Sequence, residues 1–403
     1  RYEPSPVEVF GAGVDVARWD PAAARYEIAP STNPIMEVAP GAGFWTKSDT
    51  QRTLQVPGTL FGNVQDLTVN VARTWNMIGN PYDRDLPWER LNLPQGVSRY
   101  GFIYDAAAHT YRLVSTTTGL GTVTTVPRNA GFWLRAEAST QVAFDGPGTA
   151  AVSPEVAQQV ERKPADDAWI IPIVARGAGA LDACSLAGVL PQAASDPAAY
   201  QMDNPPAIGP YVDLYFLGAD GRRLAVDVRA VRPVQTWQFE VVTDTPGAEI
   251  ELQLPDLSEV PADKAIYLVD ETAGNRIYAR ALTTYSYQAG EGARRFSLEV
   301  ADRANTGLMI TAASAQAAGS GVTVSYTLSA DAQVLVEVLN IAGRTVATLA
   351  GDEAAPAGLS TCTWNGRGGS GTSVPAGRYI VRISARAADG QQVQSLVPIQ
   401  LER

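Results

Sequence analysis

The segments RWDPAAARY (residues 18–26) and IYDAAAHTY (103–111) decide the fold, since each is followed by a GFW tripeptide, at 43–45 and 131–133. In both copies an aromatic residue and an aspartate precede a turn, a tyrosine strand and a proline-containing stretch. The copies recur at a period of roughly 85 to 88 residues, which indicates duplication of a whole β unit. We predict repeats at about residues 1–58 and 70–147, the first one truncated.

The second copy is preceded by the strand TWNMIGNP (residues 74–81). Its counterpart in the first copy would fall before residue 1. We therefore expect the sequence to be part of a longer protein.

The rest of the chain also has the pattern of strands. Segments such as WQFEV (237–241), FSLEV (296–300) and VTVSYTL (322–328) alternate apolar and polar residues, as a sheet with one solvated face requires. With 36 Gly and 27 Pro, only residues 153–161 are predicted to be helical. The pattern predicts an all-β chain of tandem antiparallel β-sandwich domains.

Shifts in composition place the domain boundaries. We predict a duplicated β domain at 1–150, a linker at 151–164, a β-sandwich at 165–303 and a last sandwich at 307–403.

Charge argues against a nucleic-acid partner, and hydropathy argues against a membrane-spanning segment. The formal net charge of −11 argues against nucleic acid, because phosphate binding requires a basic face. The longest apolar run, residues 168–175, is far shorter than the ~20 residues that span a bilayer. We expect no nucleic-acid partner and no membrane span.

From about residue 321 the sequence resembles the Ig-like domain of the flagellar hook-capping type. The matching segments are VLNIAGRTVATL (338–349), TWNGR (363–367) and VPAGRY (374–379). In these segments the predicted scaffold residues of the sandwich are Gly343, Trp364, Gly377 and Tyr379. The resemblance implies a C-terminal Ig-like domain, an extracellular or surface context and a non-enzymatic module. Upstream, TWNMIGNP and the GFW strands are similar to repeated β modules of bacterial surface proteins.

Few residues could carry covalent or metal chemistry. His109 is the only histidine and lies in a predicted turn, so Ser-His-Asp and Cys-His catalysis are excluded. Cys184 and Cys362 fall in different predicted domains, and we expect two buried thiols rather than a disulfide. Zinc would need more Cys and His residues than the chain has.

Carboxylates leave two alternatives open. A structural calcium ion could bind in the loop-rich stretch that contains Asp182, Asp196, Asp203 and Asp213, although no EF-hand spacing is present. Two acidic residues facing each other across a cleft would permit glycoside hydrolysis. No pair is singled out by the sequence, so we expect no cofactor and no enzyme activity.

Aromatic residues have two interpretations. Trp45, Trp75 and Trp133 are predicted to fill inward-facing core positions of the strands. Tyr82 and Trp88 lie in the polar loop after residue 81, where exposed rings could stack on sugars.

Together these features favour a non-enzymatic structural or adhesive component of the bacterial cell surface or of an extracellular assembly, as a stalk, spacer, filament subunit or lattice subunit. We expect a secreted protein that self-associates or binds other surface proteins through sheet edges. The alternative function is a carbohydrate-binding module of a larger secreted protein.

Overall fold

The computed structural model describes residues 5–11, 13–51, 53, 61–117, 119–120, 123–148, 168–282, 284–302, 307–318, 321–369, 371–387 and 391–401. We refer to residues 5–148 as the duplicated domain, 168–302 as the middle domain and 307–401 as the C-terminal domain. The predicted linker and the predicted helix at 153–161 lie outside the described residues. No described helix has the length and hydropathy needed to cross a membrane.

The elements of the duplicated domain are α1 (Pro6–Phe10), β1 (Asp15–Asp20), β2 (Arg25–Ile28), β3 (Trp45–Lys47), β4 (Leu67–Val71), β5 (Thr74–Gly79), β6 (Leu86–Pro87), β7 (Leu91–Asn92), β8 (Tyr100–Asp105), β9 (Thr110–Ser115), β10 (Thr125–Val126), β11 (Gly131–Ala136) and β12 (Thr140–Phe144). Short 3₁₀ turns occupy Pro34–Met36 and Trp88–Arg90.

The two repeats build sheets with the same strand order. Repeat 1 has the order β2-β1-β3, and repeat 2 has the order β9-β8-β11-β5. Two smaller sheets, β4-β12-β7 and β10-β6, complete repeat 2. In repeat 1 Trp19 pairs with Tyr26, and in repeat 2 Tyr104 pairs with Tyr111. The two hairpins therefore share one register, which makes β1 equivalent to β8 and β2 equivalent to β9.

An aspartate holds the turn of each hairpin. In repeat 1 the Asp20 Oδ1 atom accepts hydrogen bonds from the backbone N–H groups of Ala22 and Ala23, and Asp105 does the same for residues 107 and 108. The turns end on Ala24 and His109, with φ of 50° and 55°. His109 is thus the counterpart of an alanine, so the turn itself does not require an imidazole.

Strand β5 contacts both repeats. It pairs with β11 along one edge, and on the other edge Ala42 bridges Ile78 and Gly79 N–H donates to the Gly41 carbonyl. A Cβ atom at Gly79 would lie 2.5 Å from the Ala42 carbonyl oxygen. A residue without a side chain is required at this close backbone approach.

The middle domain consists of β13 (Trp169–Gly177), β14 (Ala180–Val189), β15 (Gln201–Asp203), β16 (Val212–Leu217), β17 (Arg223–Arg229), β18 (Val234–Thr243), β19 (Glu249–Gln253), β20 (Lys264–Asp270), β21 (Asn275–Tyr278), β22 (Tyr285–Gln288) and β23 (Arg294–Asp302). Short 3₁₀ turns occupy Pro191–Ala194, Pro197–Tyr200 and Ala279–Ala281.

The predicted middle sandwich is formed by one sheet of eleven strands that curls on itself. Its order is β21-β20-β23-β18-β16-β17-β14-β13-β19-β22, with β15 on β17. The two ends of the sheet meet where the Tyr285 hydroxyl of β22 donates to Asp270 of β20 at 2.6 Å. The enclosed core includes the fully buried Trp237 and Phe239. The parallel pairing of β14 with β17 departs from the antiparallel pattern.

The C-terminal domain is a sandwich of two antiparallel sheets. Its strands are β24 (Ile310–Ala318), β25 (Gly321–Leu328), β26 (Ala332–Asn340), β27 (Thr345–Ala355), β28 (Gly358–Trp364), β29 (Gly377–Arg386) and β30 (Gln392–Leu401). They form the sheets β24-β25-β28 and β27-β26-β29-β30.

Four predicted scaffold residues occupy distinct positions in this sandwich. The buried rings of Trp364 and Tyr379 pack 5.2 Å apart, and the Trp364 Nε1 atom donates to the Arg367 carbonyl. Gly343 takes a φ of 77° in the turn between β26 and β27, where an L side chain would be strained. Gly377 is the first residue of β29.

The duplicated and middle domains share one apolar core. Ring faces of Trp75, Phe102 and Trp133 lie in the same buried cluster as Met202 and Val226 of the middle domain. Because each domain covers apolar surface that the other exposes, the two cannot separate without exposing both faces to water. The C-terminal domain has few contacts with the rest. Met309 packs beside Tyr267 and Tyr278, and its Sδ atom lies 3.4 Å from Arg276 Nη1.

The proposed sugar-stacking residues are buried, which corrects that prediction. Tyr82 is 1% exposed and donates its hydroxyl to the Gln65 carbonyl at 2.9 Å. Trp88 is 2% exposed, packs edge-on against Phe132 and donates Nε1–H to the Arg99 carbonyl. Rings whose faces are covered by the core cannot stack on a sugar.

The burial of the tryptophans and cysteines also differs in part from the prediction. Trp75 and Trp133 are buried, whereas Trp45 is only half-buried and lines a cleft. Cys184 and Cys362 are free thiols and are half-buried rather than fully buried.

The shared core predicts how the protein unfolds. We expect calorimetry to give one transition for the duplicated and middle domains together and a separate one for the C-terminal domain. Leu190→Ala, at the shared core, should destabilise the first unit by about 2–4 kcal/mol. Ile341→Ala, at an exposed site, is the control that should leave both transitions unchanged. Independent unfolding of the duplicated domain would contradict the shared core.

Candidate functional site

Six aromatic rings of the two repeats pack against each other through reciprocal contacts. The equivalent pairs are Trp19 with Tyr104, Tyr26 with Tyr111, and Trp45 with Trp133. We call these six residues the aromatic cluster.

Each repeat contributes a tryptophan that packs on the rings of the other repeat. Trp133 lies 5.9 Å from Trp19 and 6.4 Å from Tyr26, with edge-to-face geometry. The matching contacts of Trp45 are with Tyr104 at 4.7 Å and Tyr111 at 6.3 Å. Edge-to-face rings are favourable because the positive edge of one ring meets the negative face of another. The duplication therefore creates a packed unit that neither repeat could form alone.

One carbonyl of the middle domain lies at the centre of this arrangement. The hydroxyls of Tyr26 and Tyr111 donate to the Pro206 carbonyl at 3.2 Å and 3.3 Å. The symmetry is incomplete, since Trp133 Nε1 donates to the Tyr111 hydroxyl at 3.0 Å, while the equivalent Trp45 Nε1 interacts with the Tyr26 hydroxyl without good hydrogen-bond geometry. Burial raises the pKa of both tyrosines far above physiological pH, so both hydroxyls keep their protons.

A cleft of about 890 Å³ lies between the aromatic cluster and the middle domain. Its walls are mostly apolar and include Tyr26, Trp45, Tyr104 and Tyr111 on one side. The opposite side consists of residues 179–184 and the loop at 204–213. Exposed residues at its mouth include Lys47 and His109. A cleft of this size and composition is typical of a ligand site.

Two aspartates line the middle-domain side. Asp182 accepts hydrogen bonds from the backbone N–H of Leu214 at 2.8 Å and of Cys184 at 3.2 Å. The neighbouring Ser185 hydroxyl donates to the Leu214 carbonyl. At this point β14 and β16 lie side by side without a backbone ladder, so the side chains of Asp182 and Ser185 satisfy the main chain of β16.

The second carboxylate, Asp213, accepts a hydrogen bond on Oδ1 from the Asn204 side-chain amide at 2.7 Å. Burial raises the pKa of Asp213 to about 6, with Arg223 acting in the opposite direction. Burial, and then the charge of Asp213, raise the pKa of Asp182 to about 7. Both groups remain half-buried rather than sealed, because they face the cleft. At neutral pH the ionised carboxylates of this pair are only partly solvated, which is unfavourable in free energy.

The four calcium candidates do not converge. Asp196 caps a 3₁₀ turn, and Asp203 forms an ion pair with Arg135 at 3.3 Å. In the described ranges no three acidic, histidine or cysteine side chains come close enough to hold a metal ion. Only Asp182 and Asp213 meet at one site.

The duplicated Asp-turn-Tyr pattern is the sequence signal for this site. The sequence predicts Trp45 and Trp133 as core residues, and it offers Asp182 and Asp213 only as calcium ligands. Because the carboxylates lie on different strands, their proximity depends on the strand order of the middle domain.

Comparison with known proteins identifies the C-terminal domain. Residues 310–389 match the family model of the FlgD Ig-like domain, which confirms the resemblance in the sequence. No curated protein matches the chain.

Solved structures give low similarity. A structure described as dimeric latent PorU from Porphyromonas gingivalis has 9% identity and a TM-score of 0.21, over 82% of this chain and 32% of that one. The chain thus spans about a third of that protein's length. A tetra-tandem repeat in the extending region of a large adhesion protein has 13% identity and a TM-score of 0.17, over 96% and 91%. The BSP domain of a biofilm-associated protein has 9% identity and a TM-score of 0.17, over 85% and 67%.

The two equivalent tyrosines give a matched test of the aromatic cluster. Tyr26→Phe should cost about 1 kcal/mol in the free energy of unfolding through the lost hydrogen bond to Pro206. Tyr111→Phe should cost about 1–3 kcal/mol more, because it also leaves the buried Trp133 N–H without an acceptor. Urea unfolding of both variants measures the difference, and equal losses would contradict the broken symmetry.

The aspartate pair predicts an unusual dependence of stability on pH. A carboxyl whose folded pKa lies above its unfolded value of about 3.9 binds more protons in the folded state, so stability falls as pH rises from about 4 to 7. Asp213→Asn removes this loss and should gain about 1–3 kcal/mol relative to the wild type between pH 4.5 and pH 8.

The control for this experiment is Asp263→Asn, at an exposed turn of the middle domain. Its stability difference from the wild type should stay constant across the same pH range. An equally constant difference for Asp213→Asn, measured by urea unfolding at each pH, would show that the carboxyl is not perturbed.

Proposed function

We propose that this chain is a non-enzymatic structural or adhesive component of the bacterial cell surface or of an extracellular assembly. The observation that carries the proposal is the shared apolar core, which joins the duplicated and middle domains into one unit followed by an Ig-like domain. An apolar interface opposes relative motion of the two domains, which suits a protein that spans distance or presents a surface.

The chemistry of the cleft supports a non-enzymatic role. Where two carboxyl groups act as separate general acid and general base, contrasting environments hold one protonated and the other ionised. Here burial raises the pKa of both Asp182 and Asp213, and both oxygens of Asp182 already accept backbone hydrogen bonds. The histidine, His109, is an exposed residue of a turn whose counterpart is an alanine.

A sheet edge in the C-terminal domain supports self-association. Strand β30 pairs with β29 over ten residues without a register shift, and β24 of the other sheet lies beside β30 without forming a described backbone ladder with it. Leu396 of β30 is 57% exposed. By contrast, the pairing of β27 with β26 has three register shifts, which disfavour addition of another strand. We therefore propose β30 as the edge through which copies associate.

Light scattering tests this proposal. The mass of the wild-type particle should rise above the 42.7 kDa of one chain as concentration increases. Leu396→Lys should suppress the increase, because charged residues on an edge strand oppose pairing. Ile341→Lys, at an exposed turn position, is the matched control. A wild-type particle that stays monomeric at high concentration would contradict assembly through this edge.

Location is tested separately on the native bacterium. Antibodies against the C-terminal domain should label intact cells or the culture medium, and added protease should remove the cell-bound signal. Labelling only after lysis would exclude a surface or extracellular role.

A further inference from the structure

We propose that the cleft between the aromatic cluster and the middle domain binds a basic side chain, arginine or lysine, presented on an exposed segment of a partner protein. Asp182 and Asp213 are the counter-charges, and the rings of the aromatic cluster form the wall along the side chain. This inference names a partner chemistry for the adhesive role proposed above, and it rests on that role.

Charge complementarity is the first argument. Neither Asp182 nor Asp213 is within 4.0 Å of a cationic group in an ion pair among the described residues. The cation whose charge acts on Asp213, Arg223, stacks on the Tyr215 ring at 4.4 Å. Two carboxylates that repel each other in a partly desolvated cleft are stabilised by a cation from outside. The net charge of −11 adds long-range attraction for a basic partner.

Hydrogen-bonding capacity is the second argument. The Oδ2 atom of Asp213 accepts no hydrogen bond from the described residues, and each oxygen of Asp182 accepts one of the two that it can. The site thus offers acceptors. Ammonium and guanidinium groups are donors only, so they match this site better than a group that also needs donors.

The walls provide the third argument. A lysine or arginine has a long apolar stem and a charged head, and the cleft has mostly apolar walls with the two carboxylates on one side. The aromatic residues Trp45, Tyr104 and Tyr111 line the same space, and their ring faces attract cations. A volume of about 890 Å³ exceeds one side chain, so we infer that residues flanking the basic one also enter.

Binding should depend on pH through groups that face the pair. Asp182 is surrounded by Asp213, Cys184 and backbone amides, and Asp213 by Asn204 and Arg223. The hydroxyl of Tyr111 and the thiol of Cys184 have raised pKa values and stay protonated at neutral pH. Lys47 and His109 lie at the mouth with Asp15. A bound cation favours ionised carboxyls, so binding should strengthen from pH 5 to pH 8 and release protons.

The experiment uses the full chain and three acetylated hexapeptides that differ only at one central residue, which is arginine, glutamine or glutamate. Isothermal titration should show the arginine peptide binding about tenfold or more tightly than the glutamine peptide, and no binding of the glutamate peptide. Titration in two buffers with different ionisation enthalpies measures the proton release. A neutral glucose trisaccharide is tested in parallel.

Variants connect the binding to the cleft. Asp213→Asn retains the acceptor for Asn204 and should weaken binding of the arginine peptide about tenfold or more, with thermal unfolding measured to show that the variant is folded. Asp182→Asn is the second variant, although its backbone contacts make it the riskier one for folding. Asp263→Asn is the matched control and should bind like the wild type.

Three outcomes would overturn the inference. These are equal affinity for the arginine and glutamine peptides, unchanged affinity in Asp213→Asn, and preferential binding of the trisaccharide, which would identify the cleft as a glycan site. If the arginine peptide fails to bind while self-association and surface labelling persist, only this inference fails. Loss of the latter two would remove the proposed function itself.

Discussion

Burial of apolar surface between the duplicated and middle domains is the interaction on which the other features depend. Trp75, Phe102 and Trp133 are covered by Met202 and Val226, residues distant in sequence. Because apolar burial has no directional preference, the contact fixes only that the two surfaces meet. Hydrogen bonds then fix how they meet, above all the two tyrosine hydroxyls on the Pro206 carbonyl. The cleft lies beside this contact, since residues of both domains line it.

The duplication produces one site from two similar repeats because their surroundings differ. Both repeats have the same hairpin register and the same aspartate-held turn. They pack on opposite edges of β5, however, and Trp133 finds the Tyr111 hydroxyl while Trp45 faces the cleft without a partner of good geometry. Of the two equivalent tryptophans, Trp133 is thereby part of the core, whereas Trp45 lines the cleft. Sequence equivalence does not imply equal roles once a third element contacts both repeats.

The aspartate pair follows from the topology of the middle domain. Strand β17 lies between β14 and β16, but it pairs with each over only part of its length. Where the ladder is interrupted, Leu214 needs hydrogen-bond partners, and Asp182 and Ser185 provide them. Asp213 is next to Leu214 in the chain, so its carboxylate is carried to the same place. Because the main chain of β16 needs hydrogen-bond partners, carboxylates come together at the wall of the cleft, and negative charge accumulates there.

The sequence alone determined the elements with local causes. Alternation of apolar residues predicts the strands, the repeated Asp-turn-Tyr pattern predicts two equal hairpins, and Gly343 and Trp364 with their neighbours predict the Ig-like domain. Each depends on residues within one hairpin or one family motif, where spacing along the chain is enough. The same local pattern offers Tyr82 and Trp88 as candidates for exposed rings in a polar loop. It could not detect that the loop folds back into the core.

Only the tertiary structure decided the shared core, the curling of the eleven-stranded sheet and the meeting of Asp182 with Asp213. These features join residues from strands that are not neighbours in sequence, through an order that includes a parallel pair. Strand order is set by the sum of many weak packing contacts across the whole domain rather than by any one segment. The physical chemistry of the site therefore becomes visible only when the sheet is assembled.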